Sequence, residues 1–385
     1  MSCHTVYLDS GTIEIDIVHS LFPLDDLCGF ADRRNRMRSF LFVSRVLGKH
    51  CPVRPSTMRK IYRLLAGQAG RLPEPVLVVG MAETATALGH GLYESYIENQ
   101  GGRGLFIHTT RYRSSTHKAL HFEEKHSHAV DQLLHYPADA HELDLFLNAR
   151  SLVVVDDEIS TGRTLCNLIC EYRAINSGIE EIRFASITDW LDAGRRGEIV
   201  SALSPAHVEF LNILQGSFTF LPDPAYDVAD EVSVTGNGEC KDRFLRRNFG
   251  RFGVSGVQNC DYDRLLAGCP LSDDSRVLVL GTGEFMYPPF LFAEWLESRG
   301  CDVWFQSTTR SPIRTGGAIS SALHTVDNYW DGIPNFLYNV RPGQYDRVIA
   351  CYETSPLPPA HDLPGQLDAR VMEFTDADIS VSRSR

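Results

Sequence analysis

An apolar run that ends in two adjacent carboxylates and opens at once into a short hydroxyl-rich loop constrains this chain more than any other feature. It reads Val153-Val154-Val155-Asp156-Asp157-Glu158-Ile159-Ser160-Thr161-Gly162-Arg163-Thr164. Consecutive valines suit a strand buried on both faces of a parallel sheet. Acids at the C-terminal end of such a strand stand where open α/β sheets take their ligands. The loop leads into a helix predicted over Leu165 to Ala174. Its backbone amides and the positive end of the helix favour a phosphate dianion. Ser160, Thr161 and Thr164 add hydroxyl donors, and Gly162 lets the backbone come close. An acid pair able to hold a diol or a metal, beside a phosphate cradle, matches the groups of ribose 5-phosphate.

Around this run the chain alternates strand and helix, the pattern of an α/β domain with a mainly parallel sheet. Strands are predicted at Pro75–Val79, Gly104–His108, Leu152–Val155, Ile182–Ile187 and Val208–Ile213, with a helix from about Ala85 to Asn99. The polar stretch from Thr109 to about Ala129 is long enough to be a functional lid. Periodicity fades between about Val234 and Ser272 and resumes with the strand Arg276–Leu280, a helix near Pro289–Arg299 and the strand Asp302–Gln306. The expected division is therefore residues 1–233, a junction over 234–272 and a second, smaller α/β domain over 273–385. The two halves echo each other. Val76–Glu83 aligns with Val277–Glu284, Glu94 with Glu294, and Thr109-Thr110-Arg111 with Thr308-Thr309-Arg310. Either an internal duplication or two generic strand-helix-strand units would give this pattern.

Composition narrows the function classes. With 385 residues, 43% hydrophobic and 22% charged, the chain can build two ordinary globular domains. No apolar run reaches the length of a membrane span, and the N-terminus does not read as a secretory signal, so a cytoplasmic protein is expected. Ten scattered cysteines without a Cys-x-x-Cys pair read as reduced thiols. A net charge of −12 argues against coating DNA. One segment opposes that average: Arg33 to Arg63 holds ten Lys or Arg and no acid. It suits an anionic ligand, or else a solvated face answered by carboxylates elsewhere. Its core, Asn35–His50, reads as an amphipathic helix. An ATPase reading of the acid pair fails, because Gly48-Lys49 is followed by His50 and lacks the earlier glycine of a P-loop.

The Val153–Thr164 run resembles the phosphoribosyl pyrophosphate signature of type I phosphoribosyltransferases, departing from it at Glu158, where that family has an aliphatic residue. The resemblance implies a central, mainly parallel sheet flanked by helices, with a hood and a flexible loop. It implies that Asp156 and Asp157 hold the ribose hydroxyls, and Mg2+ through substrate or water. Ser160, Thr161, Gly162, Arg163 and Thr164 would wrap the 5-phosphate. Gly80-Met81-Ala82-Glu83-Thr84 stands where the family has its pyrophosphate loop; Glu83 would either bind a magnesium-held water or fix the loop. Arg111, Arg113 and Lys118 would belong to the flexible loop, and Arg33–Arg63 to the hood over the acceptor. Phosphoribosyl pyrophosphate and a small-molecule acceptor are the implied partners, with homodimerisation left open. A sensor that binds phosphoribosyl pyrophosphate without turning it over is the alternative.

In the second half, Gly281-Thr282-Gly283-Glu284-Phe285-Met286-Tyr287-Pro288-Pro289 and Thr309-Arg310-Ser311-Pro312 resemble the TRSP domain, which follows phosphoribosyltransferases in bacterial gene clusters linked to tellurite resistance. That resemblance implies a smaller Rossmann-like domain and the making of a nucleotide-like compound. Tyr345–Glu353 stands where a second signature would fall but has no acid pair and no phosphate loop after it. Gly281, Gly283, Glu284 and Arg310 are the candidate anion-binding corner of this domain, with packing or dimerisation as the other reading.

Overall fold

The structure is a computed structural model that describes residues 2–35, 38–123, 131–226, 238–266 and 275–382. Its larger sheet has seven strands. Gly104–His108, Val76–Gly80, Ser151–Ile159, Glu181–Asp189 and His207–Pro222 run parallel in that order, and the hairpin Ser2–Leu8/Gly11–Ser20 closes the far edge antiparallel. Val76–Gly80 and Gly104–His108 are buried at every position, as apolar strands covered on both faces must be. The helix Thr86–Gln100 is buried over its first three turns because it is covered twice, by its own sheet and by the second domain. The smaller sheet orders Asp302–Ser307, Arg276–Gly281, Arg347–Tyr352 and Arg370–Glu373, all parallel.

The two sheets share strand order and register at their centres. Gly80 pairs with Val155 across one, and Leu280 with Ala350 across the other. Carrying the second pairing one residue on sets Gly281 beside Cys351. Glu353, two residues beyond Cys351, then holds the place that Asp157 holds two residues beyond Val155. The structure thus supports a common plan for the two strand-helix-strand units.

Three expectations change. The described residues of 35–50 form no helix: Phe40–Ser44 is a strand paired antiparallel with Cys28–Asp32. Alternating aromatic and branched residues favour the pleat, and the strand packs Phe40 and Phe42 against Phe218, Phe220 and Trp190. The junction is not a slack linker. Residues 250–254 bond along the edge strand Gly104–His108, with Phe106 and Val254 exchanging both backbone bonds at 2.9 and 2.8 Å. Val257–Cys260 pairs with the C-terminal strand Ile379–Ser382. Finally, the stretch after Thr109 is held down. Asp242 accepts from Ser114, Ser115 and Thr116, and His117 stacks on Phe252. It then enters a hairpin, Ala119–Glu123 with Asp131–His135. His126 and His128 of the same polar stretch lie outside the described residues.

The domains join over a buried seam that mixes apolar packing, such as Tyr62 on Phe290, with polar contacts. Backbone bonds link Val53 with Phe305 and Ser307 with Gly48, so residues 48–53 extend the edge of the second sheet. Arg59, fully engaged, reaches Glu94 of the first domain and grips Glu294 of the second with two bonds of 2.7 Å. No helix among the described residues is long and apolar enough to cross a membrane.

Candidate active site

The strand Ser151–Ile159 stays paired with Glu181–Asp189 but runs past the end of Val76–Gly80, carrying Asp156 and Asp157 into a cleft. Thr84 donates to Asp157 at 2.7 Å, and the Asp157 amide to Asp156 at 3.0 Å, which fixes both carboxylates relative to the loop opposite. Asp156 lines the cleft rather than apolar packing.

Beyond the acids, Ser160, Thr161 and Arg163 are exposed, and Gly162 caps the helix Arg163–Ile175 at φ +67. That left-handed conformation is strained for a residue with a Cβ, which accounts for glycine there. Among the described residues, none offers an acceptor to the amides of Ser160, Thr161, Gly162 or Thr164; the Arg163 amide meets Thr161 Oγ1 at 3.4 Å. Such amides at a helix start are a ready anion cradle.

On the other side of the acids lies Gly80–Thr84. The Met81 amide donates to Val155 O and the Ala82 amide to Thr109 Oγ1, and the amides of Glu83 and Thr84 meet no acceptor among the described residues. The Glu83 side chain, also at the cleft, pairs with Lys49 at 2.7 Å and lies 3.9 Å from Arg310. Burial pushes its carboxyl up, but Lys49 and then Arg310 outweigh burial and hold it below the usual carboxylate range. Of the two roles open for Glu83, the geometry favours fixing the loop.

Glu158, the odd residue of the signature run, has a partner that explains it: Arg38 donates to it at 2.7 Å and lies over the Phe40 ring. Burial raises the Glu158 carboxyl, and Arg38 opposes that rise. The acid thereby anchors an arginine of the hood at the cleft mouth.

Of the expected loop cations, Arg111 lines the cleft. Lys118 sits over the Tyr136 ring, and the Arg113 backbone bridges to Cys240; neither lines it. From the basic segment, Arg33, Arg34 and Arg38 line it, while Arg54 and Arg59 serve the domain seam. The cavity at Gly80–Thr84 and the cavity at Ser160–Thr164 adjoin, sharing Arg33, Arg38, Arg111, Asp156, Glu158 and Thr164.

The anion corner expected in the second domain is filled by protein. The Gly283 amide donates to Thr308, its carbonyl accepts from Lys49 at 2.7 Å, and a Cβ on Gly281 would meet Phe285 O at 2.6 Å. Glu284 takes Thr110 Oγ1 at 2.6 Å, the Arg111 amide at 3.0 Å and Arg251 at 3.0 Å. Arg310 leaves that corner altogether and lines the first domain's cleft with Thr309, Ser311 and Pro312. Its destination was not visible in the sequence, since it depends on how the domains dock. Lys49 was likewise missed as a named site residue; its only signal was a lysine beside a glycine in a basic stretch.

Comparison with known proteins follows the same division. A family described as "Phosphoribosyl transferase" matches residues 27–217, and one described as "TRSP domain C terminus to PRTase_2" matches residues 249–366. No curated protein matches. Solved structures similar to this chain include the adenine phosphoribosyl transferase of Trypanosoma brucei, crystallised with AMP, pyrophosphate and ribose-5-phosphate. It is 13% identical, with 55% of this chain and 86% of that one covered at a TM-score of 0.35. The adenine phosphoribosyltransferase of Leishmania tarentolae is 13% identical, covering 55% and 94% at 0.36. That of Rhodothermus marinus is 19% identical, covering 50% and 96% at 0.32. With a type I phosphoribosyltransferase fold ahead of a second α/β domain, and with family matches to both parts in that order, the chain belongs to the phosphoribosyl transferases that carry a C-terminal TRSP domain.

Proposed function

We propose that this chain transfers the phosphoribosyl group of phosphoribosyl pyrophosphate to a nitrogen of a base-like acceptor, in the making of a nucleotide-like compound. One observation carries the reading: Asp156 lines a pocket with Asp157 and an adjoining one with Ser160–Thr164, where the amides of Ser160, Thr161, Gly162 and Thr164 meet no acceptor among the described residues. In the reaction the bond from C1 to pyrophosphate breaks and a bond from C1 to the acceptor nitrogen forms. The transition state is oxocarbenium-like, so no protein nucleophile is needed. The chain's task is to position two reactants and stabilise charge on the leaving group.

In this reading Asp156 and Asp157 hold the ribose hydroxyls and the Ser160–Thr164 loop holds the 5-phosphate. The amides of Glu83 and Thr84, with Arg111, face the departing pyrophosphate. Arg33, Arg34 and Arg38 close the acceptor side. Magnesium suits the donor set, since two adjacent carboxylates leave most positions to waters and substrate oxygens, as that ion prefers. It would be held through Asp156 and Asp157 and would neutralise phosphate charge. From the resemblance, the setting is cytoplasmic nucleotide chemistry linked to tellurite resistance.

The test is pyrophosphate release from phosphoribosyl pyrophosphate and magnesium with a pooled set of bases. Release that depends on one base, and that falls at least about a hundredfold in Asp156→Asn/Asp157→Asn while the thermal unfolding curve is kept, is the expected outcome. Tight binding without turnover for any base would indicate the sensor instead. Undiminished turnover in the double variant would exclude the assigned site.

A further inference from the structure

The TRSP tetrapeptide is not in its own domain's site. We infer that Thr309–Pro312 is the outer wall of the pyrophosphate subsite of the first domain, with Arg310 as a direct ligand of the pyrophosphate group. This inference rests on the transferase reading above and adds a domain to the site.

Three independent sets of contacts place that wall. First, the segment is bolted to the hood by backbone. The Arg34 amide donates to Pro312 O at 3.0 Å, the Arg314 amide to Asp32 O at 2.9 Å, and the Ala318 amide to Phe30 O at 2.8 Å. Second, the Arg310 side chain is aimed. Nη2 donates to Tyr112 OH at 2.6 Å, and Nε lies 3.9 Å from Glu83, the pyrophosphate-loop residue whose shorter partner is Lys49. A guanidinium with its carboxylate claimed more closely by another cation keeps charge to offer. Third, Arg310 is only 6% exposed, yet it lines the cleft with Glu83, Thr84, Arg111 and Asp157, so the solvent it meets is that of the cleft.

The docking explains why the wall falls there. By the alignment of the two units, Glu83 corresponds to Glu284, and Arg111 to Arg310. Glu83 approaches Arg310, and Glu284 accepts from the Arg111 amide. Each acid meets the basic position of the other unit. Such reciprocal contact, residue i with j and j with i, is the mark of a two-fold association. The second domain therefore sits on the first as a twin would. It has traded its own site for a cation delivered to its neighbour's.

Titration calorimetry on the full chain with magnesium can test this, using inorganic pyrophosphate and ribose 5-phosphate as separate probes. Arg310→Gln should weaken pyrophosphate at least about tenfold and leave ribose 5-phosphate within about twofold, because charge-assisted bonds to an anion are lost at one end only. Arg310→Lys, which keeps the charge, should fall between. Ribose 5-phosphate binding in the same variants reports whether the first domain is intact. Unchanged pyrophosphate affinity in Arg310→Gln, or equal weakening of both probes, overturns the inference alone. A parent protein that binds neither probe removes the transferase reading and this inference with it.

Discussion

The two sheets end in mouths of the same construction and opposite fate. At the first, Asp156 and Asp157 open onto a cleft. At the second, Glu353 at the register of Asp157 and Glu284 at the place of Glu83 close on a single side chain, Arg251. That guanidinium is 0% exposed, and Tyr329 caps its remaining face at 3.2 Å. A pair of acids in an α/β mouth attracts a cationic group; in one unit the acids line an open cleft, and in the other the protein supplies the cation itself from the junction. A shared architecture therefore does not give a shared activity. Besides the acid pair and phosphate loop that the second unit lacks, the two differ by one arginine from a segment that periodicity could not read.

Arg251→Met breaks the comparison most forcibly. It leaves Glu284 and Glu353 buried without their cation, and stability measured by urea unfolding should fall by about 3–5 kcal/mol. A loss under about 0.5 kcal/mol would mean that the plug is not what closes the second mouth. The helices sharpen the contrast more gently. Glu94 and Glu294 are equivalent positions on one arginine, but Glu94 is buried and also receives Tyr287 OH and the Gln258 amide at 3.1 Å. The Glu294 side chain is 30% exposed. Glu94→Gln should cost about 2–3 kcal/mol and Glu294→Gln about 0.5 kcal/mol; equal losses would deny that depth decides between them.

The smallest effect concerns acid. His90, where the second unit has Phe290, stacks between Phe106 and Tyr287, with neither ring nitrogen hydrogen-bonded among the described residues. Burial, then His108, lowers it well below its ordinary 6.5. Burial, then Arg251, takes His108 down to about 4. Because the folded values lie below the unfolded one, the unfolded chain binds protons first as pH falls. The stability of the neutral rings is thus complete above 6.5 and is lost as pH drops through 6.5 toward 4. His90→Phe should hold or raise stability at pH 7 by about 1 kcal/mol. It should also flatten the acid slope by up to about 1.4 kcal/mol per pH unit. An unchanged slope would show that His90 is not among the titrating groups.

Legibility followed how local each signal was. The strands at Val76–Gly80, Gly104–His108 and Arg276–Gly281 were readable because burial on both faces demands unbroken apolar runs. The helix Arg163–Ile175 was readable from its glycine start and apolar stripe. The hood was misread because Phe40-Leu41-Phe42-Val43 is apolar at both helical and strand spacing, and only pairing with Cys28–Asp32 decides between them. Glu158 departs from the family's pattern and Glu83 had two roles open, and their partners Arg38 and Lys49 lie 120 and 34 residues away in sequence.

The sequence alone gathered the groups of the first mouth, since acids, loop and helix start lie within twelve consecutive residues and need only the chain's own geometry to meet. Tertiary structure decided everything that required the second domain to arrive: where Arg310 points, what Arg251 closes and which acid Arg59 holds more deeply. Side-chain burial and charge pairing across a seam depend on relative placement, and no stretch of residues encodes that placement by itself.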